Sequence, residues 1–205
     1  MSFSLIKLFR KPNDTKVIII VSGLPRSGTS MMMKMLESAG LEILTDNLRT
    51  ADENNPKGYY EFERAKKLKA GDFDWLSIAR GKVVKVISAL LEYLPNQYQY
   101  KIIFMRRNMD EVLSSQRQML VRDGIQDDKV PDGKLAELYE DHLKKIGTWL
   151  EQQPNMSTLY VSYNQTLRDP EPNINQINQF LGGNLDMKPM LQVVDQNLYR
   201  ERRSG

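Results

Sequence analysis

A chain of 205 residues is long enough to bury one large core, and it reads as a single domain over residues 1–205. Its 29 Lys and Arg against 26 Asp and Glu leave a net charge of +3, too small a surplus to point to nucleic acid as a partner. The chain has no cysteine, which excludes thiol catalysis, disulfides and thiolate metal sites and suits a reducing compartment, so a cytoplasmic location is expected.

At the N-terminus, Phe3, Leu5, Ile6, Leu8 and Phe9 are interrupted by Lys7 and Arg10, a pattern that gives neither a signal peptide nor a membrane span, and no stable membrane insertion is expected. The β-branched run Val17 to Val21 predicts a first strand. It leads into Gly23-Leu24-Pro25-Arg26-Ser27-Gly28-Thr29-Ser30, a Gly-x-x-x-x-Gly loop opening onto a helix. Backbone N–H groups and the helix dipole converge on an anion in such a unit. Gly23 and Gly28 allow the tight path, Thr29 and Ser30 add hydroxyls, and Arg26 offers a fork suited to phosphate or sulfate oxygens. The nucleoside-triphosphatase loop carries Lys after its second Gly, whereas this loop carries Thr29, so the cradle is expected to hold a phosphate without serving ATP. Met32, Met33, Leu36 and Ala39 then give a helix a buried stripe, with Gly40 as its C-terminal cap.

Residues Asp46 to Lys57 are polar and read as a loop over a site. Tyr59, Tyr60, Phe62, Phe73 and Trp75 follow, as core residues or as the lining of an acceptor cleft. Val83 to Ile87 predicts a second strand, with Lys85 towards the carboxyl edge where ligands of open α/β sheets bind. Ile102 to Met105 predicts a third strand that ends in Arg106 and Arg107. Asn108 and Glu111 resemble a capping pair that starts a helix running to about Val121. Ser115 lies about 10 Å along that helix from Arg107, so a long guanidinium and a hydroxyl can share one anion. Arg122 to Gly133 forms a second polar loop. Leu135, Leu138, Tyr139, His142, Ile146, Trp149 and Leu150 then mark one face of a helix that Pro154 ends, with the chain's single histidine on that face. Leu159 to Val161 predicts a fourth strand, and Pro170 and Pro172 start a helix towards Phe180 and Leu181 before Gly182 and Gly183. Strands alternating with helical stretches predict a three-layer α/β fold of P-loop type, a central parallel sheet flanked by helices.

Taken together, Pro-Arg-Ser-Gly-Thr-Ser after the first strand and the Arg107–Ser115 pair resemble the two cofactor-binding segments of sulfotransferases. Asn55-Pro56-Lys57-Gly58-Tyr59-Tyr60-Glu61, Tyr163 with Leu167, Asp169-Pro170, and Phe180-Leu181-Gly182 are similar to stretches of bacterial members of that family. The resemblance implies transfer of a sulfuryl group from 3′-phosphoadenosine 5′-phosphosulfate to a hydroxyl or amine of a small-molecule or glycan acceptor, leaving adenosine 3′,5′-bisphosphate. By position, Pro25, Arg26, Ser27, Gly28, Thr29 and Ser30 would hold the 5′-phosphosulfate and Arg107 with Ser115 the 3′-phosphate, while Tyr163 would approach the nucleotide from a facing strand end. Arg203, in the basic tail Tyr199 to Gly205, is a further cation for the nucleotide. The Lys-x-His pair of the better-known members appears here as Lys85-Val86-Ile87, without the histidine.

Transfer also needs cations where charge builds and a base for the acceptor proton. Arg26 and Lys85 answer the first need. Glu61 is the favoured base, with Glu63 and His142 as rivals. No metal is expected, since arginine and lysine supply the positive charge. The alternatives are a P-loop kinase for a small molecule or nucleotide, which would want the loop lysine and a magnesium carboxylate, and a nucleotide-binding module without catalysis. Oligomeric state is left open.

Overall fold

Four strands, β1 (Ile18–Gly23), β2 (Val83–Lys85), β3 (Tyr100–Arg106) and β4 (Met156–Ser162), form one sheet in the order β2-β1-β3-β4. All neighbours are parallel, with Val21 opposite both Lys85 and Ile103, and Gly23 opposite Met105. Every strand therefore ends at the same edge. The structure is a computed structural model and describes residues 17–46, 60–122, 124 and 130–194. The N-terminal arm, most of the Asp46–Lys57 loop, Tyr59, and the tail with Arg203 lie outside the described residues.

A strand buried on both faces reads as a near-continuous apolar run, and β1 does from Ile18 to Val21: its alternate residues feed two separate cores. Ile18 and Ile20 pack with Trp75, Leu91, Phe104, Ile146 and Leu150 on one face. Ile19 and Val21 pack with Met32, Met33, Met35 and Leu36 of α1 (Thr29–Ser38) on the other. The first face is covered by α4 (Asp132–Glu151) and by 3₁₀ turns at Asp74–Ser77 and Ser88–Tyr93. The second is covered by α1, α5 (Tyr163–Arg168), α6 (Pro170–Leu181) and α7 (Met187–Val193). Helix α2 (Glu63–Lys66) adds Ala65 to the first core, and α3 (Met109–Arg122) follows β3 in the chain. This is the expected three-layer α/β arrangement.

The methionine stripe is core: Met32, Met33 and Leu36 are fully buried, and Gly40, at φ 89°, closes α1. Its N–H donates to Glu37 O at 3.0 Å and that of Leu41 to Leu36 O at 3.1 Å, the paired bonds of a left-handed helix end. Other expectations need correction. β2 stops at Lys85, and Ile87 lies beyond it, 41% exposed. Leu138 is 51% exposed because the buried stripe of α4 runs through Leu143, Ile146 and Leu150. The N–H of Glu111 donates to Asn108 Oδ1 at 3.4 Å, but the Glu111 carboxylate accepts from Arg107 and Asn164 where a capping pair would turn it to the Asn108 N–H. Helix α7 was not foreseen. Its Met190 packs in the same core as α1, a long-range contact that local pattern cannot announce.

An additional short strand-like segment flanks β2. Val83 N–H donates to Glu42 O at 2.9 Å and Leu44 N–H to Val83 O at 2.8 Å, so residues 42–44 run parallel beside β2.

Leu36 joins α1 to the sheet and to α7, so Leu36→Ala should cost about 2–5 kcal/mol in urea unfolding. A loss well under 1 kcal/mol would show that this helix is not anchored through that side chain.

Candidate active site at the carboxyl edge of the sheet

The loop between β1 and α1 takes its shape from two glycines that no other residue could replace. Gly23 sits at φ 146°, and a Cβ there would lie 2.5 Å from Ser27 Oγ and 2.6 Å from the Met105 carbonyl oxygen. Gly28, at φ 97°, would place a Cβ 2.3 Å from the Tyr163 ring. As the N-cap of α1, Gly28 brings no side chain to the first-turn amides, and the first intrahelical bond is Met32 N–H to Gly28 O at 3.2 Å. A helix start of this kind is completed by an anion.

Arg26 is held in the left-handed region at φ 68°, which turns its side chain across the sheet edge towards α3. There its Nε donates to Ser115 Oγ at 2.9 Å. Arg107, leaving the end of β3, donates from Nη1 to the Arg26 carbonyl at 3.1 Å. The two cation-bearing segments are thus in direct contact. Ser27 is buried and turned inward, its hydroxyl donating to Leu24 O at 2.7 Å. Pro25 is exposed at the loop tip, while Thr29 and Ser30 are half-buried at the helix start. Lys85 reaches across from β2, with Nζ 3.4 Å from Ser30 Oγ.

Behind the loop stands a buried charge pair. Arg107 and Glu111 have side chains 7% and 6% exposed, with Nε to Oε2 at 3.0 Å. Asn164 Nδ2 donates to both Glu111 oxygens, at 2.9 and 3.0 Å, and its Oδ1 accepts the Asn108 N–H at 3.1 Å. The Arg107 guanidinium also lies over the Tyr163 ring, 4.6 Å from its centroid. Burial holds the Tyr163 phenol above its ordinary pKa against the opposing charge of Arg107, so it stays neutral at pH 7. Tyr163 therefore braces Gly28 and Arg107 at once. Glu111 and Asn164 had no signal in the sequence beyond the capping pattern at Asn108.

The three candidate bases occupy different surroundings. Glu61 is 18% exposed and takes Lys66 Nζ at 2.7 Å. Its carbonyl accepts from Thr45 Oγ1 at 2.8 Å, which ties it to the segment that follows the Ile43–Val83 bridge to β2. Glu63 is 45% exposed and shares the same lysine at 2.6 Å. His142 is half-buried on α4, with Nε2 2.9 Å from the buried Ser88 Oγ, and burial lowers its pKa below the ordinary range. Among the described residues no cluster of His, Asp and Glu suits a metal. Among the described residues no helix is long and apolar enough to cross a membrane.

A family model described as "Sulfotransferase domain" matches residues 15–204. No curated protein matches. Among solved structures, the sulfotransferase domain from the curacin biosynthetic pathway is similar at 14% identity and TM-score 0.50, covering 87% of this chain and 78% of that one. Retinol dehydratase in complex with androsterone and the inactive cofactor PAP is similar at 18% identity and TM-score 0.49, covering 86% of this chain. This chain spans 62% of that structure.

Arg107→Ala should do more than remove a ligand contact. It leaves Glu111 buried without this cation, and the expected cost is about 3–5 kcal/mol in unfolding without nucleotide. The Arg107→Ala/Glu111→Ala pair should recover part of that loss in a double-mutant cycle. A purely additive cycle would show that the two side chains are not coupled.

Proposed function

This chain belongs to the sulfotransferase family, and on that premise we propose that it moves a sulfuryl group from 3′-phosphoadenosine 5′-phosphosulfate to a hydroxyl or amine of a small acceptor, with a glycan included in the class. The observation that carries the reading is the bonding of Arg26 to Ser115 and of Arg107 to the Arg26 carbonyl, which brings the anion loop and the Arg107–Ser115 segment to one place. A nucleotide with phosphates at both ends needs two such groups within one molecule's reach. The same reading treats residues 1–205 as one catalytic domain and places the protein in the cytoplasm; the family match over residues 15–204 supports the first.

The crowded backbone at Gly23 and Gly28 and the uncapped start of α1 fit a phosphate-bearing group. In this reading the amides of residues 28–30 and the hydroxyls of Thr29 and Ser30 hold the 5′-phosphosulfate. Arg26 exchanges its bond to Ser115 for sulfuryl or bridging oxygens, and Ser115 with Arg107 turns to the 3′-phosphate. Ser27 contributes its place in the loop, since its hydroxyl faces the Leu24 carbonyl. Lys85, beside Ser30, steadies the leaving oxygen. Glu61 takes the acceptor proton as the new oxygen–sulfur or nitrogen–sulfur bond forms and the bond from sulfur to the bridging oxygen breaks. Its enclosure favours it over Glu63. Pro25 shapes the loop tip, and Arg203 remains a further candidate for the nucleotide. A kinase is not favoured, given the family match and Thr29 at the lysine position.

The test is a melting-temperature titration with adenosine 3′,5′-bisphosphate, ATP with magnesium, and phosphate. At one hundred times its Kd a native-state ligand adds about 2.7 kcal/mol, so the bisphosphate should raise the melting point most. A larger response to ATP, or none to the bisphosphate, would overturn the reading. Arg26→Ala should abolish turnover, and Glu61→Gln should slow it with bisphosphate affinity kept. Full turnover by Glu61→Gln would move the base to another residue.

A further inference from the structure

Among the described residues, two that are not glycine hold a positive φ: Arg26 at 68° and Tyr60 at 52°. L side chains avoid this region because Cβ crowds the backbone, and residues kept there cluster at functional sites. One of the two is the arginine of the anion loop. The other directly precedes Glu61.

Several contacts hold Tyr60 in that conformation. Its phenol donates to Glu37 Oε2 at 2.8 Å, and its ring packs on the core formed by α1. Burial and the neighbouring Glu37 both push the phenol's pKa up, so it is a proton donor at neutral pH. On the far side of the turn, the Glu61 carbonyl accepts from Thr45 Oγ1 at 2.8 Å and from the Asp46 N–H at 3.4 Å. Asp46 in turn accepts the Glu63 N–H at 2.6 Å. The left-handed residue therefore sends the ring down to the last turn of α1, while the Glu61 backbone is held by Thr45 and Asp46, which follow the Ile43–Val83 bridge to β2. Because α1 is one helix of 10 residues, Glu37 and the phosphate cradle are the two ends of a single rigid body about 15 Å long.

We infer that Tyr60 is a positioning residue: its phenol, latched to Glu37 on the helix that carries the anion loop, fixes where the Glu61 carboxylate stands relative to Lys85 and Arg26. This rests on the reading of Glu61 as the base. The latch sits at the opposite end of α1 from the loop, so it governs the proton transfer and leaves nucleotide affinity alone.

The experiment follows bisphosphate released from 3′-phosphoadenosine 5′-phosphosulfate, with water alone and with a panel of sugars, alkanols and 4-substituted phenols graded in acidity. Tyr60→Phe keeps the ring and removes the donor. Glu37→Ala removes the acceptor, whereas Glu37→Gln keeps an acceptor oxygen. Tyr60→Phe and Glu37→Ala should each lower kcat about 10-fold, the scale of a small misplacement, with bisphosphate Kd unchanged. The loss should shrink towards the most acidic phenols, which need no base, and Glu37→Gln should restore most of the rate. Wild-type kcat in Tyr60→Phe, or a parallel loss of bisphosphate affinity, overturns the inference. Glu61→Gln, run beside them, separates the two claims: its inactivity with a fully active Tyr60→Phe removes the latch alone, and its full activity removes the base and the latch together.

Discussion

The site depends on one guanidinium. Arg107 leaves the end of β3 and meets Glu111 through Nε, the Arg26 carbonyl through Nη1 and the Tyr163 ring through its face. A lysine could not replace it, because its three donors radiate from one point, without the separated Nε and Nη1 donors or the flat face that lies on the tyrosine ring. The left-handed turn at Arg26 leaves its carbonyl facing β3, and Arg107 supplies the donor that a buried carbonyl requires. The loop that would hold the anion is thus shaped partly by the arginine expected to hold the far end of the same ligand.

This arrangement has an energetic side. A pair of buried charges contributes little net stability compared with apolar packing, yet losing one member is costly. Arg107 and Glu111 tie together three elements: the β1–α1 loop, the β3–α3 junction and the β4–α5 junction. The cost of burying them is offset by the bonds of Asn164 and by the tyrosine face.

Much of this was legible in the sequence, and the limits have physical causes. Strand and helix periods located β1 to β4, α1 and α6, because each buries a regular stripe. The Gly-x-x-x-x-Gly loop was plain because its backbone leaves no room for a side chain at Gly23 or Gly28. The Arg107–Ser115 pair was visible as a spacing. What stayed hidden was the partner of each: Ser115 meets Arg26, and Glu111 faces Arg107 where the pattern implied a helix cap. Asn164, Tyr60 with its left-handed backbone, and α7 depend on contacts between distant residues, which no local period encodes. The missing histidine after Lys85 was likewise evident, but the bond from Thr45 to the Glu61 carbonyl was not.

The central claim is that one nucleotide spans both cationic segments. A crystal structure of the protein grown with adenosine 3′,5′-bisphosphate tests it most directly. The account requires the 5′-phosphate on the amides that open α1 and the 3′-phosphate within hydrogen-bond reach of Ser115 and Arg107. A bisphosphate bound with either phosphate elsewhere, while Arg26 keeps its bond to Ser115, would contradict it.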